Sequence, residues 1–333
     1  MPPDISVVLC TYNRARCLPR TLESLTRQSL QAAHYEIVVV DNGSSDNTSV
    51  VIRRFQAEHP FTEIVLVSEP TQGLAHARNT GCKTARGRYL AFIDDDCIAS
   101  EDWLETILAC YEQVRPKPVS VGGPIFPRYD SGAPMWFKDS YETDTWGDRP
   151  RFLIAGESFT GCNMSFRKAV IEQFGGFPDN YGMNGDSLAL AEETKLFRNI
   201  WSKDKQAAAF YFTPRAVVYH TIDPYKMTVA YQLKRALMAG QASYWMTQSA
   251  SLSRKTMLLG GSIVYLVFRA LLAIFGIARR RSWQNWAVEE LCSVAGQCGR
   301  LLAFFNVKLT FWQRDPKLHV ADPRIKPQSS YAS

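Results

Sequence analysis

RYLAFIDDDCIASEDWL, Arg88 to Leu104, is the stretch on which the reading of this chain turns. Tyr89 to Ile93 has the composition of a buried strand, and it stops abruptly at three carboxylates, Asp94, Asp95 and Asp96. Adjacent acids repel one another unless a cation sits among them. Hard divalent ions take oxygen ligands and are often held by one or two carboxylates together with substrate phosphates. The run therefore reads as a place where Mn²⁺ or Mg²⁺ meets a diphosphate. A plainer alternative fits the same residues: an acidic turn between a strand and the helix suggested by Ser100 to Leu108, with the acids favoured by its N-terminus.

Working outward from that stretch, the preceding chain repeats one pattern. Ile5 to Cys10, Glu36 to Asp41 and Glu63 to Glu69 are apolar strands, each followed by a turn and a helical segment. The first helix carries Leu18, Leu22 and Leu25 at helical spacing, and the third, in GLAHARNTGCKTA, presents small residues. Strands alternating with helices predict an α/β fold, a mostly parallel sheet with helices on both faces. Such sheets bind ligands beyond the carboxyl ends of their strands. Thr11, Tyr12, Asp41, Glu69 and Asp94 to Asp96 all fall there. No glycine-rich phosphate loop of the G-x-x-x-x-G-K-[ST] or G-x-G-x-x-G kind is present, so diphosphate charge must be met by metal and by Arg or His side chains.

Composition sets bounds on the core. The 333 residues are 46% hydrophobic and carry a net charge of +6, which bounds the chain to one large core or two modest ones. The surplus of base is concentrated from Lys226 to Arg300, a distribution that suits an anionic membrane surface better than nucleic acid, and no nucleic-acid partner is expected. Eight cysteines without a C-x-x-C pair and five dispersed histidines argue against zinc and for free thiols in a reducing compartment. The N-terminus has no basic segment ahead of its apolar run, so no secretion signal is expected.

The segments VVLCTYNR, VVVDNGSSDNT, GLAHARNTG and FIDDD, in this order and near these spacings, resemble the nucleotide-sugar half of family 2 glycosyltransferases with the GT-A (Rossmann-like) fold. The resemblance covers roughly the first 220 residues. It implies that Asp41 accepts a hydrogen bond from the base, normally uracil, and that Thr11, Tyr12 and Arg14 form the loop over base and ribose. It further implies that Arg78 and Asn79 brace the sugar-phosphate side. Asp94 and Asp96 match the D-x-D motif, with Asp96 a direct metal ligand, Asp94 near the ribose or donor sugar or on the metal, and Asp95 beside them. In AGESFTGCNMSFR, Gly161 and Asn163 match residues that line the donor-sugar pocket, where a glycine lets the backbone approach closely.

Further on, the family places an acidic pair at the start of a helix, usually Glu-Asp, whose second member is the general base. This chain has Glu192-Glu193 instead, which lengthens the reach of the carboxylate by on the order of 1.5 Å. Glu193 takes the place of the base, Glu192 is its companion, and Asp186 is a reserve. His220, ending the strand Pro214 to His220, is a candidate third metal ligand or diphosphate contact. Exposed aromatics in the middle loop (Trp136, Tyr141 and Trp146) are candidates for stacking on an acceptor sugar, with ordinary loop packing the alternative. The implied activity is inverting transfer from a nucleotide sugar, first of all a UDP-sugar, to a glycan or lipid-linked acceptor. A nucleotidyltransferase and a catalytically silent sugar-nucleotide-binding partner are the rival readings.

Residues 1–225 are thus expected to form the GT-A domain, with 1–104 its nucleotide-sugar half and 105–225 its acceptor half. Residues 226–314 read as a helical, membrane-associated region and 315–333 as a loose tail. Met257 to Ala278 has the length of a span but carries Arg269 at its middle and basic clusters at both ends. That favours a helix in the cytoplasmic interface, or a re-entrant hairpin, with Trp283, Trp286 and Trp312 as anchors. A soluble helical subdomain or a homo-oligomer contact would use the same residues.

Overall fold

A computed structural model of the chain describes residues 2–179, 192–203, 209–245, 260–261, 264–266, 282–307 and 309. Four β-strands come first, each leading into a helix. They are β1 (Ile5–Thr11) and α1 (Leu18–Thr26), β2 (Tyr35–Asp41) and α2 (Thr48–Glu58), β3 (Glu63–Ser68) and α3 (Leu74–Thr84), then β4 (Tyr89–Asp94). β4 passes through a turn into the short β5 (Cys97–Ala99), and α4 (Trp103–Gln113) begins three residues later than Ser100. The four strands lie parallel in the order β3-β2-β1-β4. Their register sets Thr11 opposite Asp41, Cys10 opposite Asp94 and Asp41 opposite Ser68, so the carboxyl ends are level.

The alternation of side chains explains how both faces are filled. Ile5, Val7 and Leu9 point to the side on which Leu18, Leu22 and Leu25 of α1 are wholly buried. Val8, Val38 and Val40 point to the other side, against Ala75, Ala77 and Cys82 of α3. The small residues of α3 are what let it lie close to the sheet: a Cβ on Gly81 would collide with Val8 and sit 3.2 Å from Val40.

Beyond α4 the chain supplies β6 (Ser120–Gly122), β7 (Ile125–Arg128), β8 (Arg151–Phe152), β9 (Met164–Arg167), α5 (Lys168–Gln173), α6 (Glu192–Lys203), β10 (Phe210–Phe212) and β11 (Val218–Thr221). The large sheet has eight strands, β3-β2-β1-β4-β9-β6-β10-β8. β9 is antiparallel to both β4 and β6, so the sheet is parallel in its first half and mixed in its second. A second sheet, β5-β11-β7, stands at the carboxyl end of β4, and its register puts His220 opposite Cys97, next to Asp96.

The C-terminal helices, α7 (Val229–Trp245) and α8 (Cys292–Phe304), pack almost backbone to backbone. Gly240 lies against the Gly296 carbonyl and Gly299 against that of Leu237, with no room for a Cβ at Gly240 or Gly299. They are joined to the middle loop by a polar seam. Glu142, 3% exposed, accepts from Arg235 at 2.7 Å and from Gln232 at 2.8 Å, while Tyr141 donates to Glu289 at 3.0 Å. Trp136 and Tyr141 sit in this seam with Tyr129 and Phe137, and Trp146 packs on Arg151. Among the described residues no helix is long and apolar enough to cross a membrane. Most of Met257 to Ala278, together with Asp186, Trp312 and the tail, lies outside the described residues.

Candidate active site

Arg78 is the centre of a buried charge cluster. It projects from α3 and is only 3% exposed, with three carboxylates around one guanidinium. Nη1 donates to Glu192 and lies 4.0 Å from Glu193, while Nη2 lies 3.4 Å from Asp94. The ring of Phe177 packs on it at 5.5 Å, and it also rests on Gly161, where a Cβ would be 3.0 Å from Cζ. One positive charge cannot fully offset three negative ones in a dry setting. The consequence falls on Glu193: burial first, then the neighbouring charge of Glu192, hold its carboxyl well above the usual range against the pull of Arg78. A carboxylate biased toward holding a proton is what a base working near neutrality requires. Asp94 keeps 42% of its side chain exposed, at the carboxyl end of β4.

The second charge cluster lies one turn further along. Asp95 and Asp96 occupy the turn between β4 and β5, which Thr21 pins by donating to the Asp95 carbonyl at 2.9 Å. Arg14 reaches from the loop after β1, with Nε 3.4 Å from Asp95 and Nη2 3.7 Å from Asp96. His220 Nε2 lies 3.4 Å and Lys226 Nζ 3.3 Å from the same Asp96 oxygen, Oδ2. Burial raises Asp95, whereas for Asp96 the neighbouring Lys226, His220 and Arg14 outweigh burial and hold it well below the carboxylate range. The two neighbours are driven in opposite directions.

Whether this cluster fits a divalent ion follows from its donors. Asp96 Oδ2 and His220 Nε2 are 3.4 Å apart, and two ligands at right angles on one small divalent ion stand on the order of 3 Å apart. Oxygen with imidazole nitrogen is a donor set for Mn²⁺, and two protein ligands leave positions for phosphate oxygens. Among the described residues no set of three His, Cys, Asp or Glu side chains surrounds a single point. The pair fits a cation, and the ammonium of Lys226 touches both members, at 3.3 Å from Asp96 and 3.2 Å from His220.

At the far end of the level strand ends, Asp41 closes β2 opposite Thr11, and its Oδ1 accepts from Ser44 N at 2.9 Å. Tyr12 begins the loop after β1 and is half-buried. Asn13, in the left-handed region at φ 53, ties that loop down: its Oδ1 accepts from Ser45 N at 2.8 Å and its N–H donates to Ser44 Oγ at 2.9 Å. A cleft of about 850 Å³ runs past Arg14, Cys17 and Asp96 to Asp223 and Tyr225, within the range of small-molecule sites.

The family model for glycosyl transferase family 2 matches residues 6–175, half of the chain. The chain belongs to glycosyl transferase family 2. Glycosyltransferase AglE of Haloferax volcanii is 28% identical over 262 residues, 76% of this chain and 77% of that one. The glucosyl-dolichyl phosphate glucuronosyltransferase of the same organism is 27% identical over 242 residues, 71% and 75% of the two chains. A mannosyltransferase from Pyrobaculum calidifontis, solved with GDP-Man and Mn²⁺, superposes with a TM-score of 0.61 over 90% of this chain and 88% of its own, at 19% identity. The GT-A architecture expected from the sequence is the one observed, and the chain is a glycosyltransferase.

Within this family 2 enzyme, two expected donor-site residues have their side chains engaged elsewhere. Asn79 spends its amide on the backbone of Phe177, donating to the carbonyl and accepting from the N–H, both at 2.8 Å. Asn163, 1% exposed, accepts from Trp103 Nε1 at 2.9 Å and donates to the carbonyls of Pro124 and Ala216 at 2.9 and 2.8 Å. Both hold site walls in place. Gly161 does allow a close approach, and the group that approaches is Arg78. Two residues of the site escaped the sequence reading. Asn42 ties the ends of β2 and β3 together, bonding Glu69 O, Thr71 O and Gly73 N at 2.7–2.9 Å. Lys226, counted with the basic surface, is 6% exposed and belongs to the acidic cluster. Its only signal is its position, six residues after His220.

Proposed function

We propose that the chain moves a sugar from a nucleotide sugar, in the first instance a UDP-sugar, to a hydroxyl of a lipid-linked or polymeric glycan, inverting the anomeric centre. Its place of work would be the cytoplasmic face of a membrane, approached through the C-terminal helices. The observation that carries the reading is Arg78, which ties α3, β4 and α6 together and brings Asp94 within reach of Glu192 and Glu193. Asp41, Thr11, Tyr12 and Arg14 would take the nucleoside, with a carboxylate suited to the base N–H. Asp94 and Arg78 would face the ribose, sugar and phosphates.

In the transfer, Glu193 accepts the proton of the acceptor hydroxyl. The hydroxyl oxygen bonds the anomeric carbon while the bond to the diphosphate oxygen breaks on the opposite face, and the nucleoside diphosphate leaves with the electron pair. Glu192 anchors Arg78 and raises the basicity of Glu193. Asp96 and His220, with Asp94 as a third candidate, are the residues that would hold Mn²⁺ or Mg²⁺. Such an ion supplies positive charge to the departing diphosphate.

A thermal-shift screen of nucleotide sugars with and without Mn²⁺ tests donor and metal together, since a bound ligand raises the melting temperature. The expected hit stabilises only when metal is present. Glu193→Gln should keep that shift and lose transfer; transfer that survives the substitution rules Glu193 out as the base.

A further inference from the structure

We propose that Lys226 is a resident cation of the metal position, which a divalent ion must displace in order to bind. This deepens the metal assignment made above and rests on it. Lys226 belongs to the short turn Pro224–Met227 that follows β11, and its side chain is 8% exposed. Nζ lies 3.3 Å from Asp96 Oδ2 and 3.2 Å from His220 Nε2, the two atoms best placed to ligate an ion together. Lysine has only donors, so its contact with His220 uses the one lone pair of Nε2, and that lone pair cannot accept from the ammonium and ligate a metal at once.

Nζ forms an ion pair with the Asp96 carboxylate. The lysine is therefore a counter-charge to Asp96 while no metal is present. It is also held in position by its own backbone, because Gln232 of α7 donates to the Lys226 carbonyl at 3.0 Å. Arg14 contributes less to this contact, at 3.7 Å from Asp96 and nearer to Asp95. When a metal enters, the flexible stem lets the ammonium withdraw along the same cleft, where a donor diphosphate offers it a new partner. The metal and the diphosphate would then favour each other's binding, since each makes the displacement of Lys226 less costly.

The experiment is a titration of Mn²⁺ into the full chain without any nucleotide, following free Mn²⁺ by electron paramagnetic resonance. Lys226→Met removes the charge and keeps the length; it should bind Mn²⁺ at least about tenfold more tightly than the wild type. Lys226→Arg, which restores a cation, should return affinity to the wild-type level, and thermal unfolding checks that each variant is folded. Equal Mn²⁺ affinity in wild type and Lys226→Met overturns the proposal, as does tight binding in Lys226→Arg. The double variant Lys226→Met/Asp96→Asn separates the two levels: loss of the gained affinity keeps the metal at Asp96. Unchanged affinity there means that the metal binds elsewhere, and the assignment of Asp96 falls rather than the role of Lys226 alone.

Discussion

Gly161→Ala tests the architecture of the cleft with a single methyl group. A Cβ at that position would sit 3.0 Å from Cζ and Nη1 of Arg78 and closer still to Nη2. Ordinary contacts begin near 3.5–4.0 Å, so with Nη2 the nearest atom the guanidinium must move by more than about 1 Å. Its movement is constrained, because Phe177 packs on it and Glu192 and Asp94 hold the nitrogens. Any such shift stretches the 3.4 Å contact with Asp94 or the bond to Glu192. Overpacking of this kind costs roughly 1–3 kcal/mol of stability. A misplacement of about 1 Å near the reacting groups costs on the order of 100-fold in rate, or about 2.7 kcal/mol of barrier. The assay is kcat/KM for transfer, measured well below the melting temperature with the donor found by screening. Gly87→Ala is the matched control. Its Cβ would press on Ser6 N at 2.6 Å, at the opposite end of the strands, and should lower the melting temperature without touching kcat/KM. If Gly161→Ala keeps kcat/KM within about twofold of wild type, a displaced Arg78 is not what limits catalysis and the reasoning fails.

Three further outcomes are expected. Glu193 is raised by burial and by the charge of Glu192, and a base acts only when deprotonated, so kcat/KM should climb as pH rises through that elevated value; in Glu192→Gln the acid limb should move to lower pH. Asn163→Ala leaves Trp103 Nε1 and the carbonyls of Pro124 and Ala216 without their partner, and denaturant unfolding should show a loss of about 3 kcal/mol or more. Arg235→Ala strands the buried carboxylate of Glu142 and should cost about 3 kcal/mol, whereas the double variant with Glu142→Ala should recover part of the loss in a thermal-unfolding cycle.

The half of the fold built from local periodicity was legible in the chain itself. Apolar runs ending in Asp41 and Asp94 mark β2 and β4, and the leucines of α1 fall on the face that is buried. The antiparallel insertion of β9 was not legible, because four residues of strand carry no sign of which neighbours they will pair with. The site divides in the same way. Acids at strand ends stand out, since carboxylates beside apolar runs need a reason to be there. The roles of Asn79 and Asn163 did not, because an amide can serve a ligand or a backbone carbonyl equally well and only the surrounding carbonyls decide. Lys226 looked like surface charge for a related reason: its partners, Asp96 and His220, are distant or non-acidic in sequence and meet it only through β11.

The distance from Lys226 to α7 is two residues, and Gln232 in the first turn of that helix bonds both the Lys226 carbonyl and Glu142. The chain is therefore tethered on a very short leash between the cleft and the C-terminal helices. A tilt of α7, whatever imposes it, is passed to the lysine with little slack to absorb it. A movement of α7 and a movement of the lysine would then be one motion seen from its two ends.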